Sequence, residues 1–354
     1  MPNTDGDGQR APRRPSKRAL PMLRTSERRA YLRCRQAWWW EYVERLKPKD
    51  ERKALAFGTL IHKALEIYMP PGRKRGPHPA KTFEALYARH LAEGGIGLGA
   101  RGEALDDEDA QGEWTDGLAL GVAMLNGYYD LYHESDQKYE VVASEYSFKC
   151  PVLDEDGKVV AHYVGTFDGI WRDRSDKKKP LLLNDYKTTG RLDVGYLRLD
   201  EQANAYYTFG VDAMKQEGLL AEDATISQLL FNFLVKKLPD ERPTDAEGRA
   251  LNKDGSVSMR QPTARYHREP VYRDANSRYQ IMNRAIDQFI EMQDARAGHV
   301  AILKTTGPFS CNMCVYRDPC ELHEIGEDYQ EFLRLMYKQW NPYDAHVVYA
   351  EETQ

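Results

Sequence analysis

The chain has 354 residues, 41% of them hydrophobic and 30% charged, with a formal charge of -5 and a mean hydropathy of -0.71. That is enough apolar material for a core of one elaborated domain or roughly two ordinary ones. An overall acidic chain is not a nucleic-acid coat protein, and five cysteines, an odd count, argue against a secreted disulfide framework.

No apolar run approaches the roughly 18–20 residues of a membrane span, and no apolar leader core opens the chain. A reduced, cytoplasmic setting without a membrane partner is expected. The first 30 residues carry eight basic and three acidic side chains. Residues 1–22 read as a disordered basic arm, 23–340 as a single domain and 341–354 as a tail.

In chain order, Thr25 or Ser26 can cap a helix running to about Leu46, which carries Cys34 and Trp38-Trp39-Trp40. The tryptophans are expected in the core. Further helices fit Gly58–Tyr68, Lys81–Leu91 and Glu113–Ser135, with a basic loop, Arg73-Lys74-Arg75, between the first two. The acidic run Glu103–Asp109 reads as a solvated face.

The pattern then becomes strand-like. Tyr139–Lys149 and Val159–Trp171 flank the turn Asp154–Gly157, and the apolar run Leu181–Tyr186 follows a second turn. A helix over Leu197–Glu217 and a buried strand over Ile226–Val235 come next. Lys236–Pro262 reads as a long flexible loop. A strand (Arg265–Tyr272), a helix (Ala275–Ala295) and a short helix near Tyr329 complete the chain. This order describes an α/β fold with a central mixed sheet flanked by helices.

Chemistry concentrates in the strands. Period-two alternation puts Leu181, Leu183, Asp185 and Lys187 on one face, and charges ending an apolar strand need compensation. A salt-bridged strand cap and a metal-binding carboxylate beside a lysine both satisfy that need. Asp168 lies one hairpin earlier, and two facing carboxylates attract a hard divalent cation. Gly165 and Gly169 would let a ligand approach closely. His62 and Glu66 share a helix face, as do Gln202 and Tyr206.

Taken in order, Gly58-Thr59-Leu60-Ile61-His62, Gly165-Thr166-Phe167-Asp168, Asp185-Tyr186-Lys187-Thr188-Thr189-Gly190 and Gln202-Ala203-Asn204-Ala205-Tyr206 resemble the RecB-like branch of the PD-(D/E)XK nuclease superfamily. The resemblance implies a restriction-endonuclease-like fold. It implies Mg2+ or Mn2+ on His62, Asp168, Asp185 and the Tyr186 carbonyl, with Lys187 as catalytic lysine. Gln202 and Tyr206 would position the strand or the lysine, and Glu145 is an additional carboxylate candidate.

Near the C-terminus, Cys311, Cys314 and Cys320 form C-x2-C-x5-C. Within the resemblance, these three with Cys34 match the iron–sulfur subset, AddB-type helicase-nucleases and CRISPR-adaptation nucleases, and imply a 4Fe-4S cluster. Arg35 stands where that subset has a proline after the first cysteine. A local zinc site on Cys311, Cys314, Cys320 and His323 is the alternative, and free thiols a third. Cys150 is left over.

The expected activity is a metal-dependent DNA exonuclease acting on single strands or ends in recombination, repair or phage- or CRISPR-related processing. No G-x4-G-K-[ST] motif is present, so unwinding would come from a helicase or recombination partner. A catalytically silent nucleic-acid-binding scaffold and an RNA-directed nuclease are the alternatives.

Overall fold

The computed structural model describes residues 20–49, 56–93, 110–312 and 314–344. The arm up to residue 19, the acidic run Glu103–Asp109 and the tail from residue 345 lie outside the described residues.

The chain enters the sheet at once. Strand β1 (Met22–Leu23) runs parallel to the first part of β4, pairing Met22 with His162 and Leu23 with Tyr163. Met22, expected within the arm of residues 1–22, is therefore part of the sheet. Helix α1 (Thr25–Arg33) follows, with Arg24 at the capping position rather than Thr25 or Ser26. Thr25 instead shares a hydrogen bond with the Tyr163 hydroxyl at 2.8 Å.

The long first helix expected to Leu46 is interrupted. Cys34 is extended (φ -164°, ψ 115°), and α2 (Arg35–Trp38) restarts beyond it and loosens into a π-helical turn over Trp39–Val43. Strand β2 (Leu46–Pro48) comes next. The tryptophans do serve the core, Trp38 and Trp40 being buried in two different clusters.

Helices α3 (Ala56–Tyr68), α4 (Pro79–Ala92) and α5 (Ala110–Asp136) supply one outer layer. The basic loop between α3 and α4 is partly structural, because Arg75 donates to the carbonyls of Asp136 and Tyr139. Strands β3 (Tyr139–Leu153) and β4 (Val159–Asp173) form a long antiparallel hairpin. Strand β5 (Leu181–Thr189) is antiparallel to β4, and β6 (Ile226–Val235) is parallel to β5.

Between β5 and β6 the chain forms α6 (Glu201–Ala205), a π-helical turn (Tyr206–Gly210) and α7 (Val211–Gln216). Strand β7 (Tyr266–Val271) closes the sheet, and α8 (Ala275–Arg296) packs back on it. The end holds α9 (Pro308–Cys311), α10 (Arg317–Glu324), α11 (Tyr329–Met336) and β8 (Tyr337–Gln339), which pairs antiparallel with β2.

The sheet is a filled sandwich. Leu181 and Leu183 of β5 join the cluster beneath α1, α6 and α8, while Leu182 and Tyr186 join the cluster beneath α3, α4 and α5. A strand buried on both faces explains the unbroken apolar run. No described helix is long and apolar enough to cross a membrane.

Two further expectations are corrected. Residues 236–262 fold on themselves through bridges Thr244↔Ala250 and Leu251↔Val257. The Gln261 side chain also clamps both backbone groups of Ala250. Residues 341–344, expected in the tail, are tied to the first helix: Pro342 accepts from Arg24 at 2.7 Å, and Tyr343 donates to the buried Glu27.

Candidate active site

The site forms where β4 and β5 part. The β4–β5 ladder runs from Arg172↔Leu181 to Gly169↔Asn184 and stops. One step on, the Tyr186 N–H is accepted by the Asp168 carboxylate (Oδ2, 2.5 Å). A side chain thus stands where the next strand would be, and this satisfies the amide while splaying the strands.

The other edge of β4 is paired to β3 along its whole length, so β1 and β5 share this one. Residues 164–168 lie between them, on an edge with no second strand among the described residues.

Three donors converge there. His62 of α3, Glu145 of β3 and Asp168 of β4 present ligand atoms within 4.8 Å of one another. His62 Nδ1 is 3.5 Å from Asp168 Oδ1. Glu145 is a non-glycine residue in the left-handed region (φ 44°) within a strand, a strained backbone held by its surroundings. Glu66, expected on the His62 face, is engaged by Lys63 at 2.5 Å.

Asp185 and Lys187 form the second half. Asp185 is buried, and its oxygens lie 2.9 and 3.2 Å from Lys187 Nζ. The closer one, Oδ2, lies off the hydrogen-bonding direction and has no partner satisfying it. Asp185 therefore stands next to the triad and not within it, since its charge is turned toward Lys187. The cation also sits over the Phe231 ring at 5.9 Å.

The electrostatics follow from this crowding. Burial, with Asp168 and Glu66 adding to it, pushes Glu145 up to about 7. Burial also pushes Asp185 up to about 6, against the pull of Lys187 and with the help of Asp168. Burial lowers His62, but the Asp168 carboxylate overcomes this and leaves it above its ordinary value. Lys187 is likewise lowered by burial and raised further by Asp185, so it stays protonated.

Gln202 donates to the Tyr206 hydroxyl at 2.6 Å, and both line a cavity beside α1. The glycines do a different job from the one expected. A Cβ on Gly165 would meet the rings of Phe148 and Tyr206 at 3.0 Å, and one on Gly169 would meet the Ala143 carbonyl at 3.1 Å. Their missing side chains admit the protein's own neighbours rather than a ligand.

A family model for the PD-(D/E)XK nuclease superfamily matches residues 25–321. The chain belongs to that superfamily. Its members are generally phosphodiester hydrolases that use divalent metals such as Mg2+ or Mn2+. A comparison with curated proteins finds no match. The donor set fits the metal this superfamily uses: two carboxylates and an imidazole converge, and a third carboxylate keeps a buried oxygen unsatisfied.

Of the residues the resemblance named, the structure brings His62 and Asp168 together and sets the Tyr186 amide and the Asp185–Lys187 pair beside them. Tyr186 contributes its amide to Asp168 and its ring to the core. Glu145, named as an additional carboxylate candidate, lies with His62 and Asp168.

The second cluster lies at the far end of α1. Cys34, Cys311, Cys314 and Cys320 line one cavity of about 220 Å3. Among the described residues no three of these thiols come within 4.8 Å of one another. Cys34 Sγ accepts from the Thr305 N–H at 3.5 Å. His323 is not in the cavity wall; its ring packs on Tyr329. Cys150 is buried elsewhere, and burial pushes its thiol up to about 12.

One consequence concerns pH. Glu145, Asp185 and His62 all bind protons more tightly folded than unfolded. The stability they contribute is present below their unfolded pKa values and is lost as pH rises through the folded ones. Metal-free protein should lose melting temperature between about pH 4.5 and about pH 7. Added Mn2+ should restore more of it at the upper end than at the lower. Calorimetric scans with and without Mn2+ check this, and an equal Mn2+ effect at both ends would contradict it.

Proposed function

We propose that this protein is a divalent-metal-dependent DNA nuclease, acting as an exonuclease on single strands or ends. The observation that carries the reading is the convergence of His62, Glu145 and Asp168 beside the Asp185–Lys187 pair. His62, Glu145 and Asp168 would hold a Mg2+ or Mn2+ ion, and Asp185 would join them by turning a carboxylate oxygen away from Lys187. Bound there, the ion would supply Lewis acidity and a more acidic water.

The protein's own groups have separable tasks. Asp168 ties the site to the β5 backbone through Tyr186. Lys187, kept protonated beside Asp185, offers positive charge to the reacting phosphoryl group rather than a free base. Glu145, pushed up to about 7 in the metal-free site, would give up its proton on binding the ion. Processing in recombination, repair or a phage- or CRISPR-related pathway, together with a helicase partner, completes the proposal.

We also propose that Cys34, Cys311, Cys314 and Cys320 hold a 4Fe-4S cluster. Thiolates on one tetrahedral zinc stand about 3.8 Å apart, given Zn–S bonds of about 2.3 Å. Four thiols rimming a shared cavity without such convergence suit a multi-atom cluster better. The helix break at Cys34 supports this, because it frees that side chain from the helix face.

Cleavage of labelled DNA and RNA, with Mn2+ or with EDTA, tests the activity. Asp185→Asn is the cleaner variant, since truncation to alanine would strand the partly buried Lys187. Asp185→Asn should abolish cleavage with the fold retained, and Lys187→Ala should lower turnover roughly 100–1,000-fold. Full turnover in Asp185→Asn would remove the proposed centre, and cleavage of RNA alone would correct the substrate.

Elemental analysis tests the cluster. Anaerobically purified protein should contain iron and sulfide, and Cys34→Ser should lose them while Cys150→Ser does not. Stoichiometric zinc in both wild type and Cys34→Ser would overturn the cluster.

A further inference from the structure

The open edge of β4 is roofed by α1. Because β1 runs parallel to β4 at residues 162–163, the chain leaving Leu23 continues in the direction of residues 164–168. A cavity of about 680 Å3 lies between them, floored by Val164, Gly165 and Thr166. Arg24, Arg29 and Arg33 line it against one carboxylate, Glu41.

Arg24 is already occupied, donating to the Pro342 carbonyl and lying over the Tyr343 ring. Arg29 and Arg33 are exposed, four residues apart on one helix face. Arg29 keeps its side chain 48% exposed while pairing with Asp200 at 3.2 Å.

This cavity joins the chemistry on both sides. A second cavity of about 460 Å3 shares Arg29 and Gln202 with it and reaches Lys187. A third, of about 580 Å3, shares Thr166 with it and contains His62, Glu145 and Asp168. The three are neighbours through these shared residues, with Arg29 and Arg33 on the first and the carboxylates on the third. Cavities of this size accept ligands of one or two nucleotides each, not the full width of a duplex.

We infer that Arg29 and Arg33, above the unpaired edge of β4, grip the phosphodiester backbone of a single nucleic-acid strand and lead it to the carboxylate cleft. The inference rests on the nuclease reading and adds to it the residues that grip the strand and the route it takes. Guanidinium groups suit this task because they bind phosphate oxygens bidentately and stay charged. The β4 edge offers backbone groups that no strand uses, and Gln202 and Tyr206 stand on the opposite wall. Recognition of this kind is sequence-independent and salt-dependent.

The test is equilibrium binding of fluorescein-labelled oligothymidine, oligouridine and a matched duplex to the full chain in EDTA, across a salt series. The comparison is among wild type, R29Q/R33Q, Arg33→Lys and the control Arg174→Gln, whose side chain pairs with Glu140 on the hairpin. The double variant should bind the single strands roughly tenfold more weakly, and its log–log salt slope should fall by about 1.4, or about 0.7 per lost phosphate contact. Arg33→Lys should restore most of the slope, Arg174→Gln should leave it unchanged, and all variants should keep the wild-type melting temperature.

Wild-type protein that cleaves, paired with a double variant of unchanged affinity and slope, would overturn the arginine grip while sparing the nuclease. Tighter binding of duplex than of single strands would overturn the single-strand route. Wild-type protein that neither binds nor cleaves any of the three would instead remove the nuclease reading. Preference for oligothymidine over oligouridine, or the reverse, identifies the strand that the arginines grip.

Discussion

Two carboxylates, Glu145 and Asp168, share a cleft with His62, and a third, Asp185, is buried beside it in a pair with Lys187. Their mutual repulsion and desolvation are relieved locally by protons, by His62 and by the Tyr186 amide, and a divalent cation would relieve them far better. The arrangement depends on Asp168 replacing a backbone partner of β5. That substitution ends the β4–β5 ladder, opens the cleft and leaves residues 164–168 facing α1.

The rest of the molecule holds that opening in shape. Beneath the site, Asn184 accepts from Asn232 at 2.5 Å, Asn232 accepts from Arg268, and Arg268 grips Asp136 at 2.5 and 2.7 Å. This buried string fixes β5 to β6, β7 and the end of α5 next to Asp185. On the other face the two ends of the described chain meet. The buried Glu27 receives Trp38, Arg296 and Tyr343, β2 pairs with β8, and the cysteine cavity lies beyond the break at Cys34. Helix α1 is therefore held both by the strand that precedes it and by contacts from the end of the described chain.

Much of this was legible in the sequence, because its strongest signals are local. The strand over Ile226–Val235 falls where its apolar run placed it, and the hairpin of Asp168 and Asp185 follows from two β-rich runs and their turns. The features that escaped are set by tertiary contacts. The break at Cys34 has no proline or glycine to announce it. The left-handed Glu145 is a strained residue with no sequence signature. Gly165 and Gly169 looked like room for a ligand, yet the room is taken by rings and a carbonyl of the protein itself. The segment 236–262 looked featureless because its order comes from turns at Gly248 and Gly255 and from side-chain clamps rather than from an apolar pattern. The buried polar string did leave a trace, since Asn184 and Asn232 interrupt otherwise apolar strands.

The central claim is that the crowded carboxylates exist to hold a divalent ion. Its most direct test is titration of Mn2+ into the full chain, followed by the paramagnetic resonance of the free ion. Wild-type protein should take up Mn2+ at the cleft until the site is filled, and Asp168→Asn should lose that uptake while remaining folded. Signal from free Mn2+ that rises from the first addition in the wild type, or an Asp168→Asn protein that binds as the wild type does, would contradict the account.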